Sequence, residues 1–330
     1  MNVSYLGPLQ SAIARARNIL FTPFRLETWF ALGFAAFLSD WFSGGWGHSG
    51  LGRKSTLGYF PGGHFPTPAL PGFRLHDLLP ALVWGPLMAG LVLLALIVGV
   101  VFLWLGSRGK FVFLEDVALG RTAIVEPWNR TAPLGNSLFL WKLGFTIVSG
   151  LLILGLVFAT IGSALLGWLG FHAPVAMAPP IVGGIALVGF VGLLVAFVGL
   201  LLDDFVVPLM YRHGIRTNEA WRRFLPLLRE HLGRFVLYAL LVLVLFVALG
   251  AAVLAAGLAT CCVGFLLFAT PYVGQVVLLP LHVAYRALGP EFLAQFGPEF
   301  QVFASGPPTQ APAPPVAPAA PGAPASGAPA

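Results

Sequence analysis

Two adjacent carboxylates, Asp203 and Asp204, are the sharpest chemical feature of this sequence, because the apolar run 181–202 leads straight up to them. Apolar Phe205 to Met210 follows, and then Arg212 and His213. Carboxylates at the edge of an apolar stretch can hold a cation, gate a path, or pair with basic neighbours, and groups in such places are usually partnered. Pairing is the expected role, with Lys110 as partner of Asp204 and with Asp203 and Arg212 beside them. Glu115 and Asp116 invite the same reading between Arg108 and Arg121. A second polar facet lies at Pro271, Tyr272 and Gln275, where Pro271 and Pro280 mark a kinked helix. It is the best hint of a cavity or substrate path in the sequence.

Other reactive residue types offer less. His48, His64, His76 and His172 fall in loops between apolar runs, without the convergent spacing of a metal site. Cys261 and Cys262 are adjacent, which suits neither a disulfide framework nor a zinc site. The central apolar stretches (84–105, 143–170, 181–202, 235–260 and 263–281) contain no Asp, Glu, Lys, Arg or His. That removes the acids, metal ligands and bases of intramembrane proteases, and leaves Ser149 and Ser163 without a partner base. No GxxxxGK[ST] motif occurs, so a nucleotide-driven pump is excluded. The expected catalytic, cofactor and metal residues are therefore none.

The elements carrying these residues are set by composition. Hydrophobic residues make up 58% of the 330, and charged ones only 9%, far too few to cover a water-soluble fold. The pattern predicts an all-α polytopic transmembrane bundle with spans at 26–43, 81–106, 137–170, 181–207, 234–259 and 263–286. Each can cross a core of about 30 Å at about 1.5 Å per residue, the first only just. The first run follows Arg15, Arg17 and Arg25 and is not followed by a small-residue cleavage site, so it reads as an uncleaved span. Residues 1–25 form an amphipathic interfacial helix, 26–290 the six-helix domain, and 291–330 a cytoplasmic extension. The outer loop 44–80 is rich in Gly and Pro. From about residue 304 the tail holds ten Ala and nine Pro and no charge, the composition of a disordered segment. With both ends inside, 15 Lys and Arg lie on the inner side and three (Arg53, Lys54 and Arg74) outside. Because the net charge of +6 flanks apolar runs, it points to anionic lipid headgroups and not to nucleic acid.

An internal repeat organises the six spans. Phe111-Val112-Phe113-Leu114 with Gly120 matches Phe205-Val206-Val207-Pro208 with Gly214, glycine following phenylalanine by nine residues in both. Trp128 and Arg130 are echoed by Trp221 and Arg223, and Pro280-Leu281-His282-Val283-Ala284-Tyr285-Arg286 echoes Pro208 to Arg212. The layout is three helical hairpins, each preceded by an interfacial elbow helix. In the elbow before span five, Trp221, Phe224, Leu225 and Leu228 share one face, expected to seat it in the membrane interface. Gly155, Ala159, Ser163 and Gly167, and likewise Gly189, Gly192, Ala196 and Gly199, are spaced for close helix packing within the bundle or in a dimer face.

The elbow-plus-hairpin layout, Phe205-Val206-Val207-Pro208-Leu209-Met210-Tyr211-Arg212 and Trp221-Arg222-Arg223-Phe224 resemble a broad group of uncharacterised prokaryotic multi-pass proteins. Their six-helix domain is similar to the membrane domain found beside some glycerophosphodiester phosphodiesterases. The resemblance covers residues 8–290 and implies architecture and a cytoplasmic-membrane location; the phosphodiesterase domain has no counterpart here. Three roles are consistent with these residues. The chain is expected to be a non-enzymatic scaffold, assembly factor or subunit of a larger complex, whose tail could recruit a protein partner. The alternative is a transporter for an apolar or lipid-like solute. Third comes an enzyme of lipid metabolism, for which only Asp203, Asp204, Arg212 and His213 qualify.

Overall fold

In hydrocarbon every backbone polar group must be bonded internally, so long uncharged stretches can only be helices or closed barrels. The computed structural model takes the first solution. It describes residues 4–22, 24–41, 75–120, 125–171, 177–260 and 271–303, and every regular element among them is helical. The helices are α1 (Leu6–Phe21), α2 (Leu26–Trp41), α3 (Leu75–Leu119), α4 (Val125–Arg130), α5 (Ala132–Phe171) and α6 (Ala178–Leu201). A π-helical turn, Leu202–Val206, joins α6 to α7 (Val207–His213); α8 (Thr217–Glu230), α9 (Leu232–Ala259), α10 (Pro271–Val277) and α11 (Leu279–Leu293) follow. The tail from 304, most of the outer loop, the start of the expected sixth span, His48, His64, His172, Cys261 and Cys262 lie outside the described residues.

Among the described residues, four segments are long and apolar enough to cross a membrane: Pro86–Leu119, Ala132–Gly170, Ala178–His213 and Leu232–Ala259. Their most apolar windows have mean hydropathies of 2.3 to 2.9. Helix α2 is apolar but shorter. The last apolar region is broken at Leu278, where Pro280 in the first turn of α11 cannot extend α10. Helix α3 starts earlier and runs further than the sequence suggests, continuing through Lys110, Glu115 and Asp116. Those charges are bonded inside the protein, so nothing forces the helix to end at them. It ends at Gly120, and α7 ends at Gly214; both glycines have φ of 63°, the left-handed cap that other residues resist.

The packed core lies at one end. On α3 it is Phe111 to Leu114 and Val117; on the π turn and α7, Phe205 to Val207, Leu209 and Met210; on α11, Leu279, Val283, Ala287, Leu288, Phe292 and Leu293. Helix α1 packs along α11, and α2 packs between α3 and α10. The other halves of the long helices show Leu91 to Leu94, Leu151, Leu152, Leu165, Leu166, Ile185 and Val247 on the surface, as side chains facing lipid tails would be.

Two expectations change here. Small residues were expected to serve close packing within the bundle or in a dimer face, but within this chain Gly155, Gly189, Gly192 and Gly199 have open space where a side chain would be. The close approaches fall at other glycines: a Cβ on Gly184 would run into the Thr160 side chain, so α6 meets α5 there, and one on Gly109 would sit 2.9 Å from the Leu38 backbone, tying α3 to α2. Nor does the apolar face of α8 reach lipid. Phe224 is fully buried against Phe205 (5.6 Å between ring centroids) and Phe235 (5.2 Å), and Trp221 stacks on Trp141 at 5.6 Å. The protein itself supplies the apolar surface that the helical spacing demands.

Replacing Phe224 by Ala is therefore expected to cost about 3–5 kcal/mol of stability in detergent, while Leu237→Ala, on the exposed face of α9, stays within about 0.5 kcal/mol. Thermal melting reads both. An unchanged melting temperature for Phe224→Ala would return α8 to the lipid interface.

Candidate functional site

Where the core meets the apolar zone, five ionisable side chains from four segments converge. Lys110 comes from the buried end of α3, Lys142 from the first third of α5, Asp203 and Asp204 from the π turn, and Arg286 from α11. All but Asp203 are less than a tenth exposed.

Successive helical residues project about 100° apart, so neighbours on one helix address different partners. Asp203 turns toward α3 and α5: Lys110 donates to its Oδ2, and Lys142 Nζ lies 2.9 Å from its Oδ1. Asp204 turns toward α9 and α11. The Tyr238 hydroxyl donates to its Oδ2 at 2.9 Å, and the Tyr285 hydroxyl reaches both oxygens at 3.0 and 3.1 Å. Arg286 lies along the backbone between them, donating to the Asp203 carbonyl at 3.2 Å and the Lys110 carbonyl at 3.1 Å. Its helix can come this close because residue 289 is glycine; a Cβ there would stand 2.3 Å from the Asp204 carbonyl oxygen. Below Asp204, Phe205 packs against Phe224, Phe235, Tyr238 and Phe292, with centroids 4.9 to 6.0 Å apart, and holds the turn in place.

This geometry corrects one expected pairing. Lys110 bonds Asp203, and Asp204 is held by two tyrosines. Repeat-equivalent positions need not touch, and the partner is set by the direction in which each carboxylate leaves the π turn. Arg212 stands apart. It is exposed in the last turn of α7, beside Arg130 and Tyr211. Tyr272 and Gln275 also lie away from the cluster. The Tyr272 hydroxyl donates to the Phe30 carbonyl at 2.9 Å, its ring packs on Phe30 and Phe37, and Gln275 is buried. Pro271 opens the short helix that carries both.

Sequence reasoning passed over Lys142, Tyr238, Tyr285 and Arg286 as site residues. The available signal was position: Lys142 and Tyr238 each lie about a turn inside the expected start of an apolar span. Around the cluster, fully buried Glu115 accepts from Arg130, and this bond holds the Arg130 guanidinium above the usual arginine range. Arg108 rests over the rings of Trp104 (4.6 Å) and Trp128 (5.4 Å) and donates to Asn136. The N-terminus of α8 is fastened to α5 through Thr217 and Ser137, 3.1 Å apart.

Among the described residues, four helical segments long and apolar enough to cross a membrane, joined at one end by bonded charges, are the architecture of a helical membrane protein. The chain belongs to a family of unknown function, DUF7544, whose pattern matches residues 5–298. No curated protein and no solved structure matches it.

Asp203→Asn leaves two buried ammonium groups without a counter-charge and is expected to cost about 3–5 kcal/mol. Adding Lys110→Met and Lys142→Met removes the stranded charges and should recover most of that loss. Melting of the single and triple variants in detergent checks this; a triple variant as unstable as the single would refute a structural role for the pairs.

Proposed function

We propose that this protein is a non-enzymatic component of the prokaryotic cytoplasmic membrane, acting as a scaffold, assembly factor or membrane subunit of a larger complex. The observation that carries this reading is how the deep ionisable groups are used. Lys110, Lys142, Asp203, Asp204 and Arg286 all bond other groups of this chain, so their chemistry goes into cross-linking helices. Such a cross-link fixes relative helix positions, as a platform for a partner requires.

The proposed architecture has six spans, with α2 and the α10–α11 segment as the first and last, and both ends in the cytoplasm. Three pseudo-repeated hairpins underlie it. The matching left-handed caps at Gly120 and Gly214 and the complete burial of both Phe111 and Phe205 support the first two. The architectural likeness to the membrane domain beside some glycerophosphodiester phosphodiesterases belongs to the same reading. Basic residues on α8 (Arg222, Arg223 and Arg229) would face anionic headgroups, and the Pro/Ala-rich tail would recruit a protein partner.

One observation favours transport of an apolar or lipid-like solute instead. Span four contains a π turn and span six is broken at Leu278, and such irregularities in membrane helices recur at functional sites.

Purification from mild detergent, with mass spectrometry of what accompanies the protein, is expected to show a partner protein in a fixed ratio. Solute flux in proteoliposomes of the purified protein alone would overturn the scaffold reading. Orientation is tested by single cysteines in a cysteine-free background. Ser55→Cys is expected to label in intact cells with an impermeant reagent and Asn218→Cys only after lysis; the reverse result inverts the topology.

A further inference from the structure

Away from the charge cluster, where α3 and α7 both end, lies a cleft of about 630 Å³. Ala118 and Leu119 of α3 and Val302 and Phe303 of the C-terminal segment line it with apolar surface, while Arg130, Tyr211, Arg212 and Gln301 contribute polar groups. We propose that this cleft binds a singly charged phosphate ester, such as the phosphodiester of an anionic glycerophospholipid headgroup.

The charge balance sets the class of ligand. Arg130 is neutralised by Glu115, which is sealed from solvent behind it, and exposed Glu126 lies 3.9 Å from its Nη1. Arg212 has no hydrogen bond or ion pair among the described residues, although a guanidinium offers five donors in a planar fork suited to phosphate. Among the described residues, the cleft walls thus hold one uncompensated positive charge, that of Arg212. One phosphodiester carries one negative charge and acceptor oxygens that match the Arg212 fork. Position suggests where such a ligand comes from. The segments Pro86–Leu119 and Ala178–His213, long and apolar enough to cross a membrane, stop beside the cleft, and exposed apolar faces of the same helices continue away from it. The volume is within the range of small-ligand sites, roughly 300–1,000 Å³. A lipid source rests on the membrane location proposed above; the phosphate chemistry does not.

The test uses the full-length protein in a neutral detergent with two probes, short-chain phosphatidylglycerol and inorganic phosphate. Binding is read by native mass spectrometry and by the rise in melting temperature. Arg212 is exposed and unbonded, so Arg212→Gln should leave the unliganded melting temperature unchanged. It is expected to weaken phosphatidylglycerol binding about tenfold or more, the usual effect of losing a charge-assisted hydrogen bond. Arg223→Gln, equally exposed but on α8 outside the cleft, should leave binding intact. Saturable, Arg212-dependent binding of phosphatidylglycerol that inorganic phosphate does not match identifies a lipid site. Equal binding of inorganic phosphate identifies a site for water-borne phosphate esters and supports the shared chemistry. If neither probe saturates, or if Arg223→Gln weakens binding as much as Arg212→Gln, the cleft proposal is overturned. The labelling experiment on Ser55 and Asn218 would still stand, so the two readings fail separately.

Discussion

A charge taken out of water must find an opposite charge or a set of hydrogen bonds, and the packing of this molecule follows from that constraint. Asp203 meets it for Lys110 and Lys142 together, which obliges α3, α5 and the end of α6 to converge on one point. Asp204 makes the same demand of α9 and α11 through Tyr238 and Tyr285. Two neighbouring residues therefore join segments that are far apart in sequence. Buried pairs of this kind are often no more stable than well-packed apolar side chains, and their stronger effect is on which arrangement is permitted. A helix shifted by one residue at this point would strand a charge.

The location of the core follows. Below Asp204 the aromatic side chains of α8, α9 and α11 close around Phe205, and α11 lies against the π turn because Gly289 has no side chain to hold it off. Beyond the cluster many helix faces part, although α5 and α6 stay together where Gly184 meets Thr160. Lipid tails are as apolar as leucine, so separating helix faces there costs little, and the surface of α5, α6 and α9 stays open. This is why Gly189, Gly192 and Gly199 of α6 are not contact points, whereas Gly184 meets Thr160 of α5. Helix contact in a bilayer needs a reason beyond hydrophobicity, and here the most extensive reason is polar and sits at one end.

That distinction explains what could be read from the sequence. Long helices were legible because uninterrupted apolar runs leave no other backbone solution, and the helical face of Trp221, Phe224 and Leu228 was legible from its spacing. What covers that face was not legible, since spacing says that a surface must be buried and not whether lipid or protein buries it. The charge cluster was half visible. Asp203, Asp204 and Lys110 stand out because charges at the edge of apolar runs are rare, but Lys142, Tyr238 and Tyr285 look like ordinary anchors at the ends of spans. Their convergence depends on three crossing geometries at once, and on a π turn that local composition does not announce.

The cluster also bears on the orientation inferred from charge. Arg15, Lys110, Lys142 and Arg286 are buried and bonded, so they report on folding as much as on which side of the membrane their segments stay. Arg17, Arg25, Arg212, Arg216, Arg222, Arg223 and Arg229 are exposed and carry the topological argument on their own. They still outnumber Arg53, Lys54 and Arg74. The two sets lie at the same end of the molecule, because a cation needed inside the fold is least costly to place next to the headgroup region, where it enters from water. The packed end and the basic end coincide for that reason, and any partner that reads the rigid part of this protein would meet it on the strongly cationic side.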